Sequence, residues 1–296
     1  MQPKPVTQQP PFDIVSRIAQ RSPALSQTEQ KIAHLILADL PAASAASIDA
    51  LAAQAGVSKA SVTRFAKSIG CADVRELKRW LAQASAIGSR FLAPREHGPA
   101  DTADLVFEDI VTVLQRNRAL ISLDTVRLAA QALQDARMVH AFGMGGGSTM
   151  LADEARVRLV RLGVPVATYQ DAVLQRVVAA TLDEHCVVLA FSISGTVPEL
   201  LHSVAIAKEY GARIIAVTAL GSPLARLADF HVPVQAMETD FVFKPSSSRY
   251  ALLMALDILA TELALLQRDR SQELLRRIKY VLDAQRGGDA RQPLGD

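Results

Sequence analysis

Residues 48–70, IDALAAQAGVSKASVTRFAKSIG, spell two short helices that meet at a tight turn. Ile48, Leu51, Ala52 and Ala55 recur at i, i+3, i+4 and i+7 and form one apolar stripe. Gly56 stands where the turn needs a positive φ, and Ser58 follows as an N-cap. Val62, Phe65, Ala66 and Ile69 repeat the stripe on the second helix. A small Ala52 permits close approach, while Val57 and Val62 fill the angle between the helices. This is helix-turn-helix spacing, in which the second helix enters the major groove of DNA. The face left over is short, polar and cationic, as reading base edges requires. Its expected DNA-binding residues are Ser58, Lys59, Ser61, Thr63, Arg64 and Lys67.

The surroundings of the motif extend it into an all-helical module over residues 12–86. Upstream, Ser26 and Glu29 are placed as a capping box, with Ile32, Leu35, Ile36 and Leu40 on one face and Pro41 as the stop. Downstream, Asp73 caps a helix through Val74, Leu77, Trp80 and Leu81. Charge divides in the same place. Residues 1–95 hold twelve Lys and Arg against six Asp and Glu, a net of +6. The rest holds twenty against twenty-four, a net of −4, so the overall +2 conceals a basic module joined to an acidic one.

Composition excludes several classes. Cys71 and Cys186 have no CxxC companion and read as incidental buried thiols, and the six His residues form no metal-ligand cluster. Residues 1–11 are Gln- and Pro-rich and read as a flexible tail rather than a signal peptide. The longest apolar run, Ala251 to Leu266, is interrupted by Asp257 and Glu262 and is shorter than the ~20 residues that span a bilayer. The expectation is a cytoplasmic protein with no membrane partner.

Residues 87–123 read as a linker and a bridging helix, with Leu105, Ile110, Val113 and Leu114 on the helix suited to join modules or a dimer interface. From residue 124 to 270 the rhythm becomes that of alternating helices and buried strands, with 271–296 left as a final helix and tail. Strands are expected at 138–142, 164–168, 186–191, 213–218 and 231–234, and a long apolar helix at 249–266. The fold class is therefore an all-α helix-turn-helix domain followed by an α/β doubly wound parallel sheet of flavodoxin-like type.

Ligands of such sheets bind outside the carboxyl ends of the strands. Two loops fall there. Gly143 to Ser148 brings glycines, Gly145 among them, ahead of a helix N-terminus. Ser192-Ile193-Ser194-Gly195-Thr196 brings three hydroxyls and a glycine ahead of another, a composition that suits a phosphate group. A nicotinamide cofactor is not expected. The first loop reads G-x-G-x-x-S without the third glycine, and Asp171 comes too late to hold a ribose.

The stretch AFGMGGGSTMLA together with AFSISGTVPELLHSVAIAKEYGARIIAVT resembles a sugar isomerase (SIS) domain, a phosphosugar-binding fold. A SIS domain behind a helix-turn-helix resembles the RpiR family of bacterial transcriptional regulators, a likeness that covers residues 12–283. The resemblance implies that Ser148, Ser192, Ser194 and Thr196 hold a sugar phosphate. It matches the family's late Ser-Arg pair to Ser248 and Arg249, and makes Val197, Pro198 and Glu199 a stretch that tunes the choice of sugar. The expected ligand-binding set is thus Gly145, Ser148, Ser192, Ser194, Thr196, Glu199 and Ser248, with a sugar phosphate as effector and no cofactor. A single helix-turn-helix implies a palindromic double-stranded operator and a homodimer or higher homo-oligomer, with the helix at 249–266 as interface. The alternative is an aldose–ketose isomerase carrying a helical module. Glu199 and His202 share one helical face and would supply its base and acid. A nucleotide-sugar enzyme is a third reading, opposed by the missing fingerprint. The attached DNA-reading module favours sensing.

Overall fold

The computed structural model describes residues 13–92, 101–237 and 245–285. The expected tail at 1–11, part of the linker and the last residues of the chain lie outside the described residues. The chain divides into two compact units, the first built from helices α1–α6 and the second from the helices and strands that follow.

The first unit contains α1 (Ile14–Arg21), α2 (Gln27–Ala38), α3 (Leu40–Ala45), α4 (Ile48–Ala55), α5 (Lys59–Ile69) and α6 (Val74–Leu92). Its core is one cluster in which Ile14, Ile18, Ile32, Ile36, Leu51, Phe65, Ile69, Leu77 and Leu81 are fully buried. Deleting such a side chain as Phe65 costs ~3–5 kcal/mol, so each helix owes its place mainly to this cluster. Gly56 adopts φ 64° and ends α4, donating to the Ala52 and Ala53 carbonyls. Ser58 caps α5, accepting from the Ser61 N–H at 3.2 Å. Asp73 and Glu76 cap α6 reciprocally, through the Glu76 N–H at 2.8 Å and the Ala72 N–H at 2.6 Å.

Three expectations change here. Ile48 is 37 % exposed, so the inner stripe of α4 begins at Leu51. Pro41 does not merely stop a helix. It sits in the first turn of α3, where a missing N–H costs nothing, and Asp39 caps that turn by accepting from the Ala42 N–H at 2.9 Å. The Lys78 ammonium then donates to the Ala43, Ser44 and Ala46 carbonyls at the far end of α3. Finally, α6 continues to Leu92, into residues read as linker.

The second unit opens with α7 (Thr102–Arg118) and α8 (Leu123–Asp135). There follow β1 (Met138–Gly143), α9 (Gly146–Val160), β2 (Val166–Tyr169), α10 (Ala172–Ala179) and β3 (Cys186–Ser192). The chain continues through α11 (Pro198–Glu209), β4 (Arg213–Thr218), α12 (Pro223–Leu227) and β5 (Phe230–Pro233), then α13 (Ser248–Leu266) and α14 (Arg268–Gln285). The five strands are all parallel in the order β2-β1-β3-β4-β5. Val139, Ala141, Leu189, Phe191, Ile215 and Val217 face α8, α9 and α13. Phe142, Val188, Ala190, Ile214 and Ala216 face α10, α11 and α12. The expected strands all exist, with β2 and β5 displaced by one or two residues.

The helix α7 belongs to the second unit. It packs on α13 through the buried Val113, and the buried Asn117 amide pairs with both backbone groups of Gln235, accepting from its N–H at 2.7 Å and donating to its carbonyl at 3.2 Å. Helix α13 is not free to serve whole as an interface, because Ala251, Leu252, Ala255, Leu256, Leu259 and Leu263 are core. Among the described residues no single helix is long and apolar enough to cross a membrane.

His140 sits in β1, 7 % exposed, stacked on Tyr169 with ring centroids 6.0 Å apart and with no partner for its Nδ1. Burial, and then the nearby Arg137 charge, hold its pKa below the ordinary 6.5. The unfolded chain therefore takes up this proton at higher pH than the folded one. Its contribution to stability is complete above 6.5 and drains as pH falls through the window beneath. Chemical unfolding followed by circular dichroism should show the parent losing stability faster than His140→Leu on acidification from neutrality, by at most ~1.4 kcal/mol per pH unit. Parallel profiles would mean that His140 protonates freely in the folded chain.

Candidate functional site

Two sites emerge, one in each unit. In the first, the turn between α4 and α5 orients the polar face of α5. Lys59, Thr63, Arg64 and Lys67 are exposed along it. Lys59 pairs with Asp49 of α4 at 2.5 Å, and Thr63 donates to the Lys59 carbonyl at 3.2 Å. Ser61 departs from the expectation of a residue open to the groove. It is 4 % exposed, its hydroxyl lies 3.0 Å from that of Ser58, and it accepts from Arg64 Nη2 at 3.2 Å. The hydroxyl is engaged inside the helix cap, and what it offers is a seat for the Arg64 guanidinium.

The second site lies where the sheet reverses direction. From β1 the chain crosses to β2 on one side, whereas from β3 it crosses to β4 on the other, which opens a crevice at the carboxyl ends of β1 and β3. Small-molecule sites are cavities of ~300–1,000 Å³, and this crevice holds one of ≈ 650 Å³. Gly145, Ser148, Ser192, Ser194 and Ser248 all line it, as expected from the sequence. Thr196 and Glu199 do not. Both are exposed, as is His202, so the acid–base pair weighed for an isomerase lies on the outer surface of α11. Ser246 and Arg249 line the cavity too. Arg249 is the one charged group among the described residues that do so, and Ser246 was missed because it precedes any helical pattern. The run Ser246-Ser247-Ser248-Arg249 was the available signal.

Each loop is shaped by its glycines. At Gly143 a Cβ would come within 2.1 Å of the Ser148 carbonyl, so the turn closes only around a bare backbone. The buried Gln175 amide ties this turn down, donating to the Gly143 carbonyl at 3.3 Å and to the Tyr169 carbonyl at 2.6 Å. Gly195 adopts φ 63°, and a Cβ there would meet Ser222 Oγ at 2.3 Å and Thr218 Oγ1 at 2.4 Å. Gly146 and Gly147 differ, because a Cβ on either would point into open space.

The serine hydroxyls share one polarity. Ser192 Oγ accepts from the Gly195 N–H at 3.0 Å. Ser194 Oγ accepts from Thr196 Oγ1 at 3.0 Å and from the Thr196 N–H at 3.4 Å. Ser248 Oγ accepts from Ser246 Oγ at 3.1 Å and from the Met237 N–H at 3.4 Å. Ser194 and Ser248 each accept twice and Ser192 once, and in these bonds none of the three hydroxyls spends its proton. The long helices α9 and α13 both begin at this cavity, so their N-terminal partial charges point the same way. Arg249 stacks 4.7 Å over the Tyr250 ring and donates to the Ser246 carbonyl at 3.1 Å and the Tyr250 hydroxyl at 3.2 Å. Beside the apolar Met144, Met150, Ile193, Val197 and Leu252, the polar groups of the cavity are thus mainly donors.

A basic helix-turn-helix unit ahead of a doubly wound domain with a donor-bearing cavity defines a ligand-linked DNA-binding regulator. Family profiles agree. The profile described as "Helix-turn-helix domain, rpiR family" matches residues 12–88, and that described as "SIS domain" matches residues 132–262. The HTH-type transcriptional regulator HexR of Pseudomonas aeruginosa is 32 % identical over 273 residues, covering 91 % of this chain and 95 % of that protein. HexR of Escherichia coli is 30 % identical over 279 residues, covering 93 % and 96 %. Among solved structures, Vibrio vulnificus NanR complexed with ManNAc-6P shares the fold with a TM-score of 0.58 at 20 % identity, over 92 % of this chain and 98 % of that one. The chain belongs to the RpiR family of helix-turn-helix transcriptional regulators.

The glycines generate a paired test. Gly195→Ala should cost ~1–3 kcal/mol of stability through backbone strain, and more through the clash with Thr218 and Ser222. Gly147→Ala should leave the thermal midpoint unchanged or higher, since Ala is the better helix former, yet obstruct the cavity. Thermal unfolding of both variants checks the contrast. Equal destabilisation would contradict the assignment of Gly147 to the open side of the loop.

Proposed function

We propose that this regulator binds a sugar phosphate in the cavity at the β1–β3 crevice and that the bound effector alters its affinity for an operator read by α5. The observation that carries the first half is the common polarity of Ser192, Ser194 and Ser248, each of which acts as acceptor in the bonds above and keeps its proton for a ligand. Ser148, the glycine-loop backbone from Gly145 and the Arg249 guanidinium complete the phosphate cradle. Thr196 acts by orienting Ser194, and Glu199 lies outside the set. NanR was solved with a sugar phosphate, which supports the same class of effector for this chain.

On the DNA side the proposed base-edge readers are Lys59, Thr63, Arg64 and Lys67, flanked by Ser58 at the helix N-terminus, with Ser61 positioning Arg64. A single recognition helix makes few contacts, so the working form is a homodimer on a palindromic site. The outward stripe of α13, with Leu265 59 % and Leu266 46 % exposed, is the part of that helix left for a partner copy. The protein works in the cytoplasm, where its operator is, and the effector's influence is an equilibrium linkage.

Two expected outcomes follow. Arg64→Ala removes one bidentate base contact and should weaken operator binding by ~1–3 kcal/mol while leaving the fold intact. Anisotropy titration at fixed salt on specific and scrambled duplexes measures it, and unchanged operator affinity removes α5 from its assigned role. For the cavity, a thermal-shift panel of sugar phosphates identifies the effector. Calorimetry then compares the parent with Ser192→Ala/Ser194→Ala. Hydrogen bonds to a charged group contribute ~1.5–3 kcal/mol each, so the double variant should bind at least ~10-fold more weakly. Unaltered affinity would place the phosphate elsewhere.

A further inference from the structure

The recognition helix is held at its C-terminus by groups from outside the two-helix motif. An α-helix leaves its last four carbonyls without helical partners. In α5 these are Ala66, Lys67, Ser68 and Ile69. The chain turn that follows satisfies the first two, since the Gly70 N–H donates to Lys67 at 2.9 Å and the Cys71 N–H to Ala66 at 2.9 Å. The other two are taken by arginines of α1. Arg17 Nη1 donates to the Ile69 carbonyl at 3.0 Å, and Arg21 Nη1 donates to the Ser68 carbonyl. Arg17 and Arg21 stand four apart, on one face of α1.

Two further features belong to the same device. Gly70 adopts φ 94°, and a Cβ on it would lie 2.5 Å from Arg17 Nη1, so the glycine both turns the chain and admits the guanidinium. The Ser68 hydroxyl donates at 2.6 Å to Glu29 Oε1, while Glu29 Oε2 accepts from the Ser26 N–H at 3.1 Å and hydroxyl at 2.6 Å. The last turn of α5 is therefore bonded to α1 and to the start of α2 at once.

The apolar core does not explain this investment. Phe65, Ala66 and Ile69 hold α5 against its neighbours, but hydrophobic contact is non-directional and tolerates small rotation and sliding. Hydrogen bonds from planar guanidinium groups are directional. We propose that Arg17 and Arg21 are positioning residues for operator reading, fixing the rotation and axial placement of α5 so that Arg64, seated on Ser61, meets base edges in register. The inference rests on α5 being the groove-reading helix.

The test uses the full chain. An operator is first enriched from a random duplex pool with the parent protein, and variants are then titrated on it and on a scrambled duplex at several salt concentrations. Arg17→Ala and Arg21→Ala should each lose at least tenfold on the operator, stay within twofold on the scrambled duplex, and keep the parent's slope of log affinity against log salt. Arg17→Lys should recover part of the loss, and Ser68→Ala, which is milder and keeps the test open if an arginine variant fails to fold, should lose several-fold. If Arg17 and Arg21 instead touched phosphates, both duplexes would weaken together and the slope would fall by ~1 for each, overturning the proposal. Unchanged operator affinity in all four variants would overturn it as well, provided that Arg64→Ala in the same assay loses its expected ~5-fold or more. A normal Arg64→Ala would instead overturn the reading of α5 itself.

Discussion

The crossover reversal between β1 and β3 is the constraint from which the second unit follows. Right-handed connections place α9 on one face of the sheet and α10 to α12 on the other. Only at the reversal do two loops leave adjacent strands in opposite directions, so only there does a crevice open without unpairing backbone. The glycine loop after β1 and the serine loop after β3 are adjacent for this reason alone. The start of α13 closes the third side because its body packs between α8 and α9 on that face of the sheet. A cavity assembled from three remote pieces of sequence is thus held by elements that are themselves fully packed, which is what lets its hydroxyls keep fixed directions.

The chemistry of that cavity is one of prearranged polarity. A free serine hydroxyl is indifferent between donating and accepting. Here the Gly195 N–H, the Thr196 side chain and the Ser246–Met237 pair fill the acceptor role of three different serines before any ligand arrives. A neutral ligand would gain from donors and acceptors alike. An anion gains only from donors, and to it these bonds contribute about twice what neutral ones do. Thr196, outside the cavity, reaches it only through its bonds to Ser194.

Much of this was legible in the sequence, and the exceptions share a cause. Apolar periodicity located every strand and the two helices of the motif, because burial of one face leaves an unambiguous pattern. Gly56, Ser58 and Asp73 were legible because turn and cap geometry restricts residue type. Periodicity assigns residues to faces but says little about edges. Ile48, at the rim of its stripe, came out exposed, and Ser61, nominally on the polar face, came out buried beneath Arg64. The short helix α3 was hidden because Pro41 reads equally as a stop and as a first turn. The roles of Thr196, Ser246, Arg17 and Arg21 depend on long-range juxtaposition, and no local spacing encodes which carbonyl a guanidinium will reach.

The division of charge along the chain explains how one molecule handles two kinds of anion without confusing them. The first 95 residues carry a net of +6 and the remainder −4, so a DNA phosphate chain is drawn to the first unit and repelled by the second at distances within the Debye length of about 8 Å. The cavity cannot then rely on net charge to attract its ligand. In the proposed site the groups on offer are serine hydroxyls, two helix N-termini and Arg249, all of which act over a few ångströms. Long-range charge selects which unit meets nucleic acid, and short-range donors select what enters the cavity. Because the two kinds of interaction differ in range, salt weakens the long-range attraction of exposed charges far more than short-range bonds made inside a crevice.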